Sequence, residues 1–241
     1  MAEPATLKIG FVTPISSSSA HFEPFRAFIP EEVEMDFEGL GIVRGSLESL
    51  RGTDDMVVET SARLARERGW KGVIVSGAPV EVLNPGLLGR LKDAVDVPVT
   101  TALESCVEAL KSLSTPRVLL LTPFVESMNK LIRDYLTDCG IEAISPADTF
   151  DDYRDAMTVE PEDVYALTEK ALAANPDVDA VYFQGAVLDP LKVLDRIEQN
   201  LSRPVVASNP AMLWFMLSRV GFSCSIAGYG KLLRDWPDIT G

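Results

Sequence analysis

The chain has 241 residues, 46% hydrophobic and 24% charged, which suffices for one large globular domain or two smaller ones. Its formal net charge of −14 argues against a nucleic-acid partner, which would require a surface of Lys and Arg. Three scattered cysteines and a single histidine argue against a disulfide framework, a metal site and a Ser-His-Asp triad.

The sequence also argues against a membrane protein. No segment approaches the roughly 18 apolar residues that a membrane-spanning helix needs. The first residues lack the apolar region of a signal peptide. We therefore expect a soluble, cytoplasmic protein.

The first half of the chain alternates strands and helices. A strand over residues 7–12 leads into Thr13-Pro14 and a run of serines. Further short apolar segments predict strands at 34–37, 73–75 and 97–100. Amphipathic segments between them predict helices at 53–68, 84–95 and 103–113.

The second half has the same pattern. Its predicted strands are 117–121, 141–144, 180–183 and 204–207, and its predicted helices are 127–139, 161–174, 191–200 and 211–220. Three landmarks recur at an offset of about 108 residues: a Thr-Pro after the first strand, a glycine after the third, and a proline that opens the fourth. An offset this long predicts two similar βα domains rather than a solenoid.

Two loops that follow predicted strands are the main candidates for binding. The first contains Ser76, Gly77 and Ala78, and the second contains Gln184, Gly185 and Ala186. In parallel sheets, ligands bind at the carboxyl ends of the strands, and backbone N–H groups there form anion pockets. We expect both loops to face one cleft, although the glycines could also serve only a tight turn.

Other polar residues lie close to these loops in sequence. Thr13, Pro14, Ser16 and Ser17 follow the first strand, and Ser208 follows the last. These residues are candidates for holding a carboxylate, and a solvated loop is the alternative for the serine run.

Three side chains are candidates for moving a proton. Histidine is the residue type whose ordinary pKa lies near neutrality, which makes His21 a candidate, and Glu81 and Asp189 follow the two glycine loops. A surface or core histidine and two helix N-caps are the alternative roles.

Several segments together resemble the Asp/Glu racemase superfamily. They are the strand with its Thr-Pro, the paired glycine loops, LTPFVESMN at 121–129, and PVVASNPAMLWFML with the later GYGKLL. The chain is most similar to the branch of arylmalonate decarboxylase and maleate cis-trans isomerase. The resemblance implies two pseudo-symmetric Rossmann-like α/β domains with four-stranded parallel sheets and an active site in the interdomain cleft. It also implies a small carboxylate substrate, no organic cofactor and no metal.

The sequence departs from the family pattern at two places. Family members carry a catalytic cysteine in one or both loops, whereas Ala78 and Gln184 occupy the matching positions here. Phe124 stands where relatives often carry a tyrosine that donates to the carboxylate. The resemblance therefore implies a site without cysteine chemistry and with one more apolar contact.

These observations lead to one functional hypothesis and its alternatives. We expect an enzyme without a cofactor that acts on a small carboxylic acid through an enolate-like intermediate, as a decarboxylase-type lyase. An isomerase or hydrolase that uses water or a carboxylate, and a non-catalytic carboxylate-binding module, are the alternatives. We expect domains at 1–115 plus 222–241 and at 116–221, and a homo-oligomer is left open.

Overall fold

The structure, a computed structural model, describes residues 6–16, 22–146 and 150–239. The chain divides into two compact units. Unit 1 comprises Met1–Glu104 and Met216–Phe222, and unit 2 comprises Ser105–Phe215 and Ser223–Gly241. Among the described residues, no helix has the length and apolar character to cross a membrane.

Unit 1 contains a four-stranded parallel sheet. Its strands are β1 (Leu7–Thr13), β2 (Val33–Gly39), β3 (Gly72–Val75) and β4 (Val99–Thr101), in the order β2-β1-β3-β4. The helices in this part of the chain are α1 (Glu23–Arg26), α2 (Asp54–Arg68), α3 (Ala78–Val82) and α4 (Leu87–Ala94), and α5 (Ala102–Ser112) follows β4 directly.

Unit 2 contains a second sheet with the same topology. Its strands are β5 (Arg117–Leu121), β6 (Glu142–Ile144), β7 (Ala180–Phe183) and β8 (Val205–Ala207), in the order β6-β5-β7-β8. The helices that accompany them are α6 (Glu126–Asp138), α7 (Pro161–Ala174), α8 (Leu194–Leu201), α9 (Ser208–Arg219) and α10 (Gly230–Asp235).

The central strands of both sheets are buried because their apolar runs need cover on both faces. Val73 and Ile74 of β3 are fully buried, as are Val181 and Tyr182 of β7. The predicted α/β class with two four-stranded parallel sheets is confirmed, and the internal repeat explains why the strand orders match.

A glycine in β1 allows an indole to lie against the sheet in unit 1. A Cβ on Gly10 would come within 2.0 Å of the Trp70 ring, which is 2% exposed. The Trp70 Nε1 donates a hydrogen bond of 2.9 Å to Asp36 on β2. Trp70, just after α2, thus connects that helix to two strands.

The structure differs from the prediction in the segment after β3. The sequence predicts one helix over 84–95, whereas the chain forms α3 first and starts α4 only at Leu87. Proline is tolerated in a first helical turn, so Pro79 does not prevent α3 from starting at Ala78. Gly86, with φ +89°, separates the two helices.

The C-terminal segment belongs to unit 2, whereas the sequence analysis placed 222–241 with the first domain. Two carboxylates on α8 hold it there: Asp195 accepts the Gly230 N–H and Glu198 accepts the Lys231 N–H, each at 2.7 Å. The second oxygen of Glu198 accepts the N–H of Val205 on β8 at 2.9 Å. Side chains of α8 thus supply the acceptors that hold this segment in unit 2.

The packing of this segment predicts unequal effects of alanine at two glycines. Gly228 and Gly230 both have φ near +90°, so each alanine should cost about 1–2 kcal/mol of backbone strain. A Cβ on Gly230 would also lie 2.2 Å from Leu194, whereas nothing lies within 4 Å at Gly228. Gly230→Ala should therefore lower the free energy of unfolding by a further ~1–3 kcal/mol.

Urea unfolding of the two variants and the wild type measures this difference. Gly228→Ala serves as the control for backbone strain alone. Equal losses of stability in both variants would show that the segment does not pack against α8 as described.

Candidate functional site

In unit 1, the candidate residues meet where β1 and β3 end side by side. Gly77 has φ +93°, and a Cβ there would lie 3.2 Å from the ring of Pro14. The Ser76 N–H donates to the Val12 carbonyl at 2.9 Å, which extends the strand pairing to the loop. Thr13 is 2% exposed and Ala78 is fully buried. The structure therefore brings Thr13, Pro14, Ser76, Gly77 and Ala78 together.

Glu81 lies in the first turn of α3 and is 6% exposed. An acidic side chain is favourable near the start of a helix. The end of α3 is held by Asn84, which donates to the carbonyls of Leu50 and Val80 and accepts the Gly52 N–H. Asn84 is a structural residue that the sequence analysis missed.

Two predicted residues fall outside the part of the chain that the structure describes. They are His21 and Ser17, so the proton-transfer role of His21 and the binding role of Ser17 stay predictions. Ser16 is described and exposed.

In unit 2, β5 and β7 end in an equivalent arrangement. Gly185 has φ +111°, and a Cβ there would lie 2.8 Å from Pro123 and 3.1 Å from the Phe124 ring. Asn129 holds the turn, because it accepts the Thr122 hydroxyl and donates to the Phe124 carbonyl at 2.9 Å. Phe124 is buried and packs directly at the glycine of the second loop.

A cleft opens in unit 2 beside the ends of β7 and β8, with an empty volume of about 210 Å³ that includes open solvent. We call it the Asp189 cleft. Its wall contains Gly185, Ala186, Asp189, Ser208 and Asn209 together with apolar side chains such as Phe183 and Leu188. The structure thus brings four predicted site residues together: Gly185, Ala186, Asp189 and Ser208.

Asp189 is the titratable group of this cleft. Its Oδ1 accepts the Leu191 N–H at 3.0 Å. Burial raises the pKa of the Asp189 carboxyl, while that hydrogen bond and the positive charge of Lys192 oppose the rise. A carboxyl of this kind keeps its proton to a higher pH than an exposed aspartate does.

Gln184 comes directly before the glycine of the second loop and is 1% exposed. Its N–H donates to the Leu121 carbonyl at 3.0 Å. Its side-chain Oε1 accepts two hydrogen bonds, from the Tyr182 hydroxyl and from the Cys106 thiol at 3.8 Å. The sequence analysis missed both partners. The sequence contains a signal only for Tyr182, which lies two residues before Gln184 and so on the same side of an extended chain.

The described residues contain no group of three or more His, Cys, Asp and Glu side chains that could hold a metal ion. The Asp189 cleft contains the carboxyl of Asp189, the hydroxyl of Ser208, the side-chain amide of Asn209 and the backbone of the glycine loop. Together they can bind an anion and donate a proton to it.

Comparison with known proteins identifies the family. The family model for arylmalonate decarboxylase matches residues 9–233. The chain belongs to the arylmalonate decarboxylase family. The arylmalonate decarboxylase of Bordetella bronchiseptica is 25% identical over 259 residues, which cover 98% of this chain and 100% of that protein.

Solved structures of this family and of maleate isomerases share the fold. A variant of arylmalonate decarboxylase in a liganded form has a TM-score of 0.81 at 21% identity, covering 95% of this chain and 99% of that one. A maleate cis-trans isomerase variant from Nocardia farcinica, with a covalently bound succinylcysteine intermediate, has a TM-score of 0.75 at 20% identity, covering 95% and 98%. The predicted resemblance and the prediction of a lyase or isomerase type are confirmed for the family.

Both glycine loops belong to the fold that this chain shares with its family, and the roles of their individual residues stay predictions. The succinylcysteine belongs to the Nocardia protein. In this chain neither loop contains a cysteine. That Ala78 and Gln184 replace the family cysteines stays a prediction.

The raised pKa of Asp189 predicts a pH-dependent contribution to stability. The folded state holds this proton more tightly than the unfolded chain, in which an aspartate titrates near ~3.9. The contribution of Asp189 to the free energy of unfolding therefore falls as the pH rises from about 3.9 through the raised pKa of the folded state. Asp189→Asn should remove this fall.

Urea unfolding of the wild type and Asp189→Asn between pH 3 and 8 checks the prediction. The stability of the variant relative to the wild type should increase with pH across this window and then level off. Asp177→Asn is the matched control, since Asp177 is exposed. A flat difference between Asp189→Asn and the wild type would contradict the prediction.

Proposed function

We propose that this member of the arylmalonate decarboxylase family is an enzyme that needs no cofactor and decarboxylates a small carboxylic acid without using cysteine. The observation that carries the proposal is the Asp189 cleft, where a carboxyl with a raised pKa shares a wall with a glycine loop. The names of the relatives point to small dicarboxylic acids as substrates.

The reaction requires stabilisation of negative charge. When the bond between the substrate α-carbon and one carboxylate breaks, carbon dioxide leaves and the electron pair moves into the remaining carboxyl as an enolate. Backbone N–H groups at Gly185 and Ala186 and the hydroxyl of Ser208 are suited to hold that oxyanion, since all three residues line the cleft. Thr13, Ser16 and the Ser76–Ala78 loop of unit 1 are further candidates for binding.

The reaction also requires a proton for the α-carbon. Asp189 is the group we propose for this step: its carboxylic acid gives the proton to the enolate carbon, and solvent restores it before the next turnover. Burial raises the pKa of the Asp189 carboxyl, which favours the acid form more than in an exposed aspartate.

An apolar side chain at the second loop favours a substrate with an apolar part. Phe124 lies beside Gly185. The family resemblance implies a tyrosine at position 124, so the phenyl ring removes one polar contact. An aryl or alkyl substituent on the substrate would match this phenyl ring better than a second hydroxyl or carboxyl would. Phenylmalonate is therefore a better first substrate than unsubstituted malonate.

The test is turnover of phenylmalonate and maleate followed by proton NMR in deuterated water. Loss of carbon dioxide from phenylmalonate, with deuterium at the α-carbon, is the expected result. Conversion of maleate to fumarate would instead indicate an isomerase. Stabilisation of the fold by either acid without any reaction would indicate a carboxylate-binding module and overturn the proposal.

The role of Asp189 predicts a specific kinetic defect. Asp189→Asn should lower kcat at least ~100-fold, because the proton donor is lost, while KM stays within about tenfold. Asp177→Asn should behave as the wild type does. His21→Ala and Glu81→Gln test the other two candidates, and unchanged turnover in Asp189→Asn would exclude Asp189 as the proton donor.

A further inference from the structure

The Gln184 side chain has one end fixed and one end available. Its hydrogen bonds within the described part of the chain both end on Oε1. Its Nε2 has no hydrogen bond in that part of the chain, yet it is not among the fully buried side-chain atoms that lack a partner there. The amide nitrogen therefore reaches accessible space, although the residue as a whole is only 1% exposed.

The partners of Oε1 determine which way the amide faces. Tyr182 and Cys106 are both fully buried, and each has a hydrogen to donate. An amide oxygen accepts both, whereas an amide nitrogen in its place would have to donate to a thiol, which is a weak acceptor. The two donors thus favour the orientation in which the N–H groups point away from them.

We propose that Gln184 is a specificity-determining residue whose side-chain N–H groups donate to a substrate carboxylate, and that Tyr182 and Cys106 are positioning residues that hold it for this. The proposal rests on the proposed function, because it assumes a carboxylate ligand at the second loop. It adds a neutral, oriented donor at the position where family members are expected to carry cysteine.

An amide donor is suited to this place for an electrostatic reason. The two loops, SGAPVE and QGAVLD, contain no Lys or Arg, and the chain carries a net charge of −14. Neutral dipoles are thus the donors that the two loops themselves offer to a carboxylate, and a buried dipole held in a fixed direction loses little freedom when the anion binds.

Succinate is the probe for the test, since it has neither a double bond to isomerise nor two carboxyls on one carbon. Nitrogen-15 NMR of the wild type and Gln184→Met identifies the Gln184 side-chain signal as the one missing in the variant. We expect that signal to move on titration with succinate. Gln184→Met and Gln184→Glu should each weaken succinate binding at least tenfold.

The positioning role is tested by Tyr182→Phe, which keeps the amide but removes one donor to Oε1. We expect its Gln184 signal to shift before any ligand is added, and succinate binding to weaken about threefold to tenfold. If Gln184→Met fails to fold, Gln184→Glu and the wild-type titration still decide the question. Glu keeps an acceptor for Tyr182 and Cys106 but lacks the N–H donors.

Failure of this proposal is distinguishable from failure of the proposed function. If succinate shifts other resonances but leaves the Gln184 signal in place, or if both Gln184 variants bind succinate as the wild type does, the amide role is overturned while carboxylate binding stands. If no resonance responds to succinate and no acid is turned over, both proposals are overturned.

Discussion

The loops at the candidate site depend on one steric constraint that occurs once in each unit. The glycine after the third strand of each sheet packs against the proline that follows the first strand, as Gly77 does on Pro14 and Gly185 on Pro123. Both glycines have positive φ, so a side chain there would be strained. Its Cβ would also make a tight contact of 3.2 Å at Gly77 and would overlap with Pro123 at 2.8 Å at Gly185. The constraint fixes where the backbone N–H groups of each loop lie.

Much of this arrangement is predictable from the sequence, because it is encoded locally and twice. Buried parallel strands require apolar runs such as those around Val73 and Val181, and the Thr-Pro and glycine landmarks recur at one offset. The repeat also explains why the two sheets have the same strand order. Asp189 and Gly185 could be named as candidate site residues for the same reason.

The parts that could not be predicted depend on partners distant in sequence. Nothing near Gly230 indicates that its N–H binds Asp195 on α8, so the C-terminal segment could not be assigned to a unit. Nothing near Gln184 indicates that Cys106 donates to its side chain. The sequence analysis treated Gln184 as a candidate binding residue and as the replacement for a family cysteine, with no partner for its side chain.

Glu81 and Asp189 occupy equivalent places in the repeat, but their surroundings differ. Glu81 is buried in α3, whereas Asp189 lines an open cleft. An anion that binds beside Asp189 raises its pKa further, because two negative charges at close range are unfavourable. In the proposed mechanism, binding of a carboxylate would therefore favour the acid form of Asp189, from which the enolate carbon takes its proton. The same residue would then both tolerate an anionic ligand and donate the proton.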